Sequence, residues 1–111
     1  MYLKLGAQKI KVIEKENLIT KIKQYYKNTE KDYGVLLKNT NRTTTYLERE
    51  VMDIIGLNEQ NQVVYIYKEV SPNEIVKIHK DNNVSILKMP SNLTKKIKIG
   101  SILIFKNEDV I

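Results

Sequence analysis

Val51-Met-Asp-Ile-Ile-Gly-Leu-Asn-Glu-Gln-Asn-Gln-Val-Val-Tyr-Ile-Tyr-Lys-Glu-Val70 is the stretch that decides the fold. Two short runs rich in aliphatic and aromatic residues, Met52 to Leu57 and Gln62 to Lys68, flank the polar Asn58-Glu-Gln-Asn61. Apolar runs of this length around a polar turn read as the two strands of a hairpin. Downstream, Ser71-Pro-Asn73 is a turn, and Glu74 to Lys80 alternates, with Ile75, Lys77 and His79 on one face and Val76, Ile78 and Lys80 on the other. Asp81-Asn-Asn83 is a further turn signal. Val84 to Met89 is a strand stopped by Pro90; Ser91 to Lys96 has room for a turn or two of helix; Ser101 to Phe105 is a closing strand.

Upstream, Tyr2 to Gly6 and Lys9 to Ile13 alternate apolar with polar residues and predict two strands. Asn17 then has the chemistry of a helix N-cap. Leu18, Ile19, Ile22, Tyr25 and Tyr26 follow at three- and four-residue spacing, with Lys21, Lys23, Gln24 and Lys27 on the other side. That spacing predicts an amphipathic helix over about residues 17–27. A polar loop at 28–32 leads to a buried strand at Tyr33 to Lys38, a turn at Asn39 to Arg42 and a strand over Thr43 to Leu47. The expected fold is therefore α+β and predominantly β. It is a small, partly closed barrel-like sheet, antiparallel or mixed, with one main amphipathic helix to help hide its edges. One domain over 1–111 is expected, with no internal repeat and no linker.

Composition removes several chemistries. Apolar residues make up 41% and charged residues 29%, a balance that argues against disorder. The chain has no cysteine, which excludes disulfides, thiolate metal sites and thiol catalysis. His79 is the sole histidine, so one chain cannot build a multi-histidine metal site, and no metal or cofactor is expected. Lys4, Lys9 and Lys11 interrupt the early apolar stretches, so no secretory signal is visible. No apolar run reaches the roughly 18 residues of a membrane span, and a cytoplasmic protein is expected.

The net charge of +6 invites a nucleic-acid reading. Two features weigh against it. Arginine, the better bidentate partner of phosphate and guanine, occurs only at Arg42 and Arg49. Ile, Lys, Asn and Tyr, all with A/T-rich codons, dominate the composition, so genome bias accounts for much of the lysine. The charge is also uneven: residues 1–40 hold nine basic and four acidic residues, 41–75 three and six, and 76–111 seven and three. The basic ends would form one basic face if they met in space.

Taken in order, several segments resemble the domain of unknown function 192 family, a bacterial family that is itself uncharacterised. Gly34-Val-Leu-Leu37 is similar to its glycine-methionine-leucine-phenylalanine strand, and Met52-Asp-Ile-Ile55 to its leucine-aspartate strand. Val63-Val64 follows the turn as in the family. Ile86-Leu-Lys-Met-Pro90 resembles the leucine-glutamate-leucine-proline step, with Lys88 in place of glutamate, and Lys96-Ile-Lys-Ile-Gly-Ser101 the closing motif, with Ser101 in place of aspartate. The resemblance spans about residues 9–105. Two family features are missing. Gln24-Tyr-Tyr26 falls near the first glycine-leucine-methionine, and Thr43 to Glu50 occupies the region of the tryptophan-methionine-lysine-asparagine segment. The resemblance thus implies no activity, and the family's most distinctive polar and aromatic cluster is absent.

Among candidate site residues, Asp53 shares a predicted strand face with Val51 and Ile55, and a carboxylate buried there needs partners. It is either a ligand anchor or general base in a pocket, or a structural carboxylate taking backbone N–H groups or pairing with Arg49; the second reading is favoured. Glu48, Arg49 and Glu50 form a charged cluster that is either a polar-ligand site or a solvated turn, and the turn is favoured. Tyr65 and Tyr67 are expected to point the same way as Val63, either into a core or interface, or as stacking surfaces for single-stranded bases. His79 reads as a surface or rim residue. No nucleophile elbow and no glycine-rich phosphate loop is present.

The function expected is a non-enzymatic binding or accessory module for a protein or a small polar ligand. Its contact region is Tyr46 to Asp53 with Tyr46, Glu48, Arg49 and Asp53, together with the exposed side of the 62–68 strand carrying Tyr65 and Tyr67. The alternatives are single-stranded nucleic-acid binding through a lysine and tyrosine sheet surface, and an enzyme using Asp53 in a pocket.

Overall fold

The structure, a computed structural model, describes residues 1–15, 33–46, 48 and 50–107, with Lys15 by its backbone alone. Among the described residues nine strands follow one another: β1 (Tyr2–Leu5), β2 (Gln8–Lys15), β3 (Tyr33–Lys38), β4 (Arg42–Thr44), β5 (Met52–Leu57), β6 (Val63–Val70), β7 (Ile75–Lys77), β8 (Ser85–Pro90) and β9 (Ile104–Lys106). Seven of them form one sheet in the order β6-β5-β8-β3-β2-β1-β9, and β4 pairs with β7 as a separate ribbon. Every pairing is antiparallel except β2 with β3.

The sheet curls into a half-barrel. Its two edges meet at one end, where the Val63 amide donates to the Ser101 carbonyl (2.8 Å), the Gly100 amide to Val63 (2.8 Å) and the Leu103 amide to Asn61 (2.9 Å). These bonds satisfy the start of the β6 edge that would otherwise be open.

Each face of the sheet buries its own apolar cluster. Leu3, Leu5, Ile10, Val12, Leu36, Ile55, Leu57, Val63, Leu87, Met89, Ile97 and Leu103 pack on one side. Tyr33, Val35, Leu37, Met52, Ile54, Val70 and Ile86 pack on the other, against Val76 and Ile78 from β7 and the segment after it. Strict alternation on β3, β5 and β8 sorts successive residues between the two clusters. Gly34 sits where these strands press together. A Cβ there would collide with Met89 Sδ and lie 3.2 Å from the Lys88 carbonyl.

The expected α+β class is overturned. Among the described residues the architecture is nearly all sheet, and the helical element is a single 3-10 turn, Ser91–Leu93. The reason lies in the second apolar face. One main amphipathic helix was expected to help hide the sheet's edges, whereas among the described residues the β4/β7 ribbon and the chain around it pack on that face. The helix expected over 17–27 and the loop at 28–32 lie outside the described residues. The strand expected over Thr43 to Leu47 is shorter, Arg42–Thr44. Beyond it the Thr45 amide donates to the Glu74 carbonyl (2.8 Å), and the Asn73 amide to the Thr45 carbonyl (3.0 Å), which turns the chain away.

The expectation that Val63, Tyr65 and Tyr67 share a face is also corrected. The β5–β6 register shifts between Gly56 and Leu57, where Tyr65 and Val63 are the successive partners. This bulge inserts Val64 and breaks the period of two. Val63 therefore enters the first cluster, whereas Tyr65 and Tyr67 pack against the second.

Candidate functional site

Two polar centres flank the middle of the sheet, one on each face. Asp53, on β5, is 1% exposed and faces the same side as Ile55 and Leu57. Its Oδ1 accepts hydrogen bonds from the Glu69 amide (2.8 Å) and the Ser91 hydroxyl (2.7 Å). Its Oδ2 accepts one from the Thr94 hydroxyl, and the Lys68 ammonium stands 3.7 Å away. The carboxylate fastens three pieces of chain. It holds the 3-10 turn through Ser91 and Thr94, and it takes the amide of Glu69, whose φ of 53° is left-handed. That amide belongs to the second irregularity of β6, where the register slips between Met52 and Ile54. A bulge in a left-handed conformation without glycine needs such an acceptor to hold it. Asp53 is enclosed and has donors on both oxygens, which is the arrangement of a structural fastener.

Lys88, on β8, faces the opposite side, between Val35 and Ile54 in register. It is among the largest fully enclosed side chains. Its ammonium lies 2.9 Å from Glu48 Oε1 and donates to the Thr44 carbonyl at 2.6 Å. The two charged side chains are only 1% and 7% exposed. A buried ion pair survives desolvation only with close geometry and further hydrogen bonds, and both are present. Tyr33 lies within the electrostatic reach of Glu48. Burial first, then the Glu48 charge, pushes the Tyr33 phenol above its usual value.

The six residues expected to form a contact site are thus dispersed. Tyr46 is half-exposed. Glu48 belongs to no solvated turn, because it is enclosed with Lys88. Arg49 lies outside the described residues. Asp53 is on the far face of the sheet from Glu48. Tyr65 and Tyr67 do stand together, with ring centroids 4.7 Å apart at 54°. They line a cleft of about 150 Å³ with Ile78, His79 and Lys80. His79 is exposed on its rim, as a surface histidine would be.

Sequence reading missed Lys88, Tyr33, Ser91 and Thr94. One signal for Lys88 was available: a lysine in the middle of Ile86-Leu-Lys-Met-Pro90 cannot enter a core without a carboxylate or carbonyl partner. Among the described residues, no group of three or more His, Cys, Asp or Glu is placed to hold a metal ion. No helix among them is long and apolar enough to cross a membrane.

No protein-family model matches the chain, and no curated protein matches it in sequence. Two solved structures share the fold. A protein of unknown function from Novosphingobium aromaticivorans superposes with a TM-score of 0.64 at 10% identity, over 94% of this chain and 82% of that one. A protein from Sinorhizobium meliloti, described as a "putative transcription regulator", superposes with a TM-score of 0.61 at 11% identity, over 92% and 87%. At these identities the likeness is one of architecture: the chain has the curled β-sheet fold of both.

Proposed function

We propose that this protein is a non-enzymatic binding module, and that its partner is another protein seated on the Tyr65/Tyr67 cleft. The carrying observation is the tyrosine pair itself. Both rings are partly exposed, touch each other, and are backed by Ile78 and flanked by His79 and Lys80. Tyrosines that offer a rigid apolar face beside polar groups are the side chains that anchor protein interfaces. The size of the cleft favours a protein over a small ligand. Drug-sized ligands occupy pockets of roughly 300–1,000 Å³, whereas about 150 Å³ admits one side chain. Ile75, 64% exposed on the ribbon that leads to Ile78, and half-exposed Tyr46 in the turn that bonds Glu74 extend apolar surface on the same ribbon. The positions of Asp53 and Lys88 support the reading from the other side, since these two buried ionisable groups are tied up in holding the fold.

The resemblance to the domain of unknown function 192 family remains part of this proposal. It is supported by the order in which Gly34 to Leu37, Met52 to Ile55, Val63-Val64 and Ile86 to Pro90 follow one another along the chain.

A crosslinking pull-down from cell extract, with the wild type beside Tyr67→Ala and Ile75→Asp, tests the reading. Both substitutions are at partly or fully exposed positions, so folded variants are expected and circular dichroism checks them. A partner captured by the wild type and lost with either variant supports the proposal. The same captured proteins with all three, or none with any, sinks it. The description of the Sinorhizobium meliloti neighbour is a reason to include duplex DNA among the probes.

A further inference from the structure

The first and last of the described strands are neighbours, and their pairing builds a second surface. β1 lies between β2 and β9, and the registers are explicit. Lys11, Tyr2 and Lys106 stand side by side across the three strands. In the next row of the same face stand Lys9, Lys4 and Ile104. The four lysines and Ile104 are exposed and Tyr2 is half-buried. Rows are about 6.7 Å apart along a strand and strands about 4.8 Å apart. Six neighbouring positions therefore hold four positive charges, one aromatic ring, one aliphatic side chain and no acid. β1 and β9 contain no acidic residue. The acid of β2, Glu14, alternates onto the opposite face and is 3.0 Å from Lys38.

Lys4 and Lys9 are directly opposed, although like charges in that relation weaken a sheet. A surface selected for stability alone would have an acid at one of the two positions. Lys9 instead reaches over the Tyr2 ring, its ammonium 5.0 Å from the centroid. Codon bias can enrich lysine in the sequence, but it does not place lysines from both ends of the chain on one acid-free lattice.

We propose that the β2-β1-β9 face binds single-stranded nucleic acid, with Lys4, Lys9, Lys11 and Lys106 on successive phosphates and Tyr2 as the stacking platform for a base. Lysines neutralise phosphate as point charges and carry no bidentate base code. A ring on a sheet stacks on any base. The surface is thus suited to sequence-tolerant binding of an unpaired strand.

The test is fluorescence anisotropy of the full chain with a fluorescein-labelled 12-nucleotide oligothymidylate between 50 and 200 mM salt. Each phosphate neutralised on a single strand contributes about −0.7 to the slope of log affinity against log salt, so four lysines give about −2.8, a roughly 50-fold loss over that range. The pair Lys4→Gln with Lys9→Gln is expected to halve the slope. The pair Lys77→Gln with Lys95→Gln, both exposed and outside either surface, makes the same change in net charge elsewhere and is expected to leave affinity within about twofold. Tyr2→Leu is expected to weaken binding about fivefold or more. The proposal is overturned by absence of binding at 50 mM salt, by equal weakening from the two lysine pairs, by an unchanged affinity in Tyr2→Leu, or by binding to phosphatidylserine vesicles in preference to the oligonucleotide. All substituted positions are on the surface, and thermal unfolding confirms the fold of each variant.

Discussion

Replacing Glu48 by Gln isolates the contribution of the buried ion pair. The substitution keeps the side-chain shape and an acceptor oxygen 2.9 Å from the Lys88 ammonium, but removes the charge that balances it. Lys88 then holds an ammonium that is 1% exposed, with the Thr44 carbonyl at 2.6 Å still accepting from it. Breaking a buried pair on one side costs about 3–5 kcal/mol. The retained acceptor places Glu48→Gln near about 3 kcal/mol. Lys88→Met leaves the carboxylate unbalanced and the Thr44 carbonyl unbonded, and is expected to cost about 3–5 kcal/mol. The double variant has no orphaned charge, and its methionine matches the lysine stem between Val35 and Ile54. It is expected to cost only about 1–2 kcal/mol, a coupling of at least about 4 kcal/mol. Urea unfolding reads these numbers directly. With a slope of roughly 1.5 kcal/mol per molar, 3 kcal/mol moves the midpoint down by about 2 M. A midpoint shift below about 0.5 M for Glu48→Gln, or costs that simply add in the double variant, would show that water reaches the pair and that Glu48 does not close over Lys88.

Three further outcomes follow from the packing. Asp53→Ala strips the acceptor from the Glu69 amide, Ser91 and Thr94 at once, and a loss of about 3 kcal/mol or more is expected in urea unfolding, with earliest hydrogen exchange at the Glu69 amide. Gly34→Ala forces a methyl against Met89 Sδ and the Lys88 carbonyl, and should cost about 1–3 kcal/mol, read as a lowered melting temperature. Tyr33 predicts an alkaline effect. Its raised folded-state pKa means that the unfolded chain gives up the phenol proton first. Stability is then full below about pH 10, the ordinary phenol value, and falls as pH rises through the folded pKa. Tyr33→Phe should flatten that fall in stability measured between pH 9 and 11, and an unchanged slope would contradict it.

The strands of the central sheet were legible because they are short apolar runs bounded by polar turns. β3 and β5 fall on the segments whose apolar pattern predicts them, and β8 within one residue of its own. What was not legible depends on contacts between distant residues. The two bulges of β6 carry no glycine. One of them, at Glu69, is held by Asp53, sixteen residues away, and nothing in Val63 to Val70 announces the other, at which Val63 and Tyr65 part company. Glu48 looked like one member of a charged turn because its partner is forty residues downstream. Lys88 looked like a replacement for a family glutamate, although its hydrophobic neighbours already implied enclosure. On the basic surface, alternation showed which lysines of β1 and β2 point outward. Whether the two ends of the sequence met in space is a matter of sheet order, which local patterning does not encode.

The adjacency of β1 and β9 also dictates when the sheet can close. A chain emerging from the ribosome presents Lys4, Lys9 and Lys11 early, but Lys106 arrives only with the final strand. The hydrogen bonds of Gly100, Ser101 and Leu103 that fasten the two margins of the sheet arrive at the same moment. Closing so long a loop is entropically slow. Premature termination anywhere before residue 100 therefore leaves β1 and the start of β6 as open margins, a product prone to adhesion and proteolysis rather than a weaker version of the finished protein.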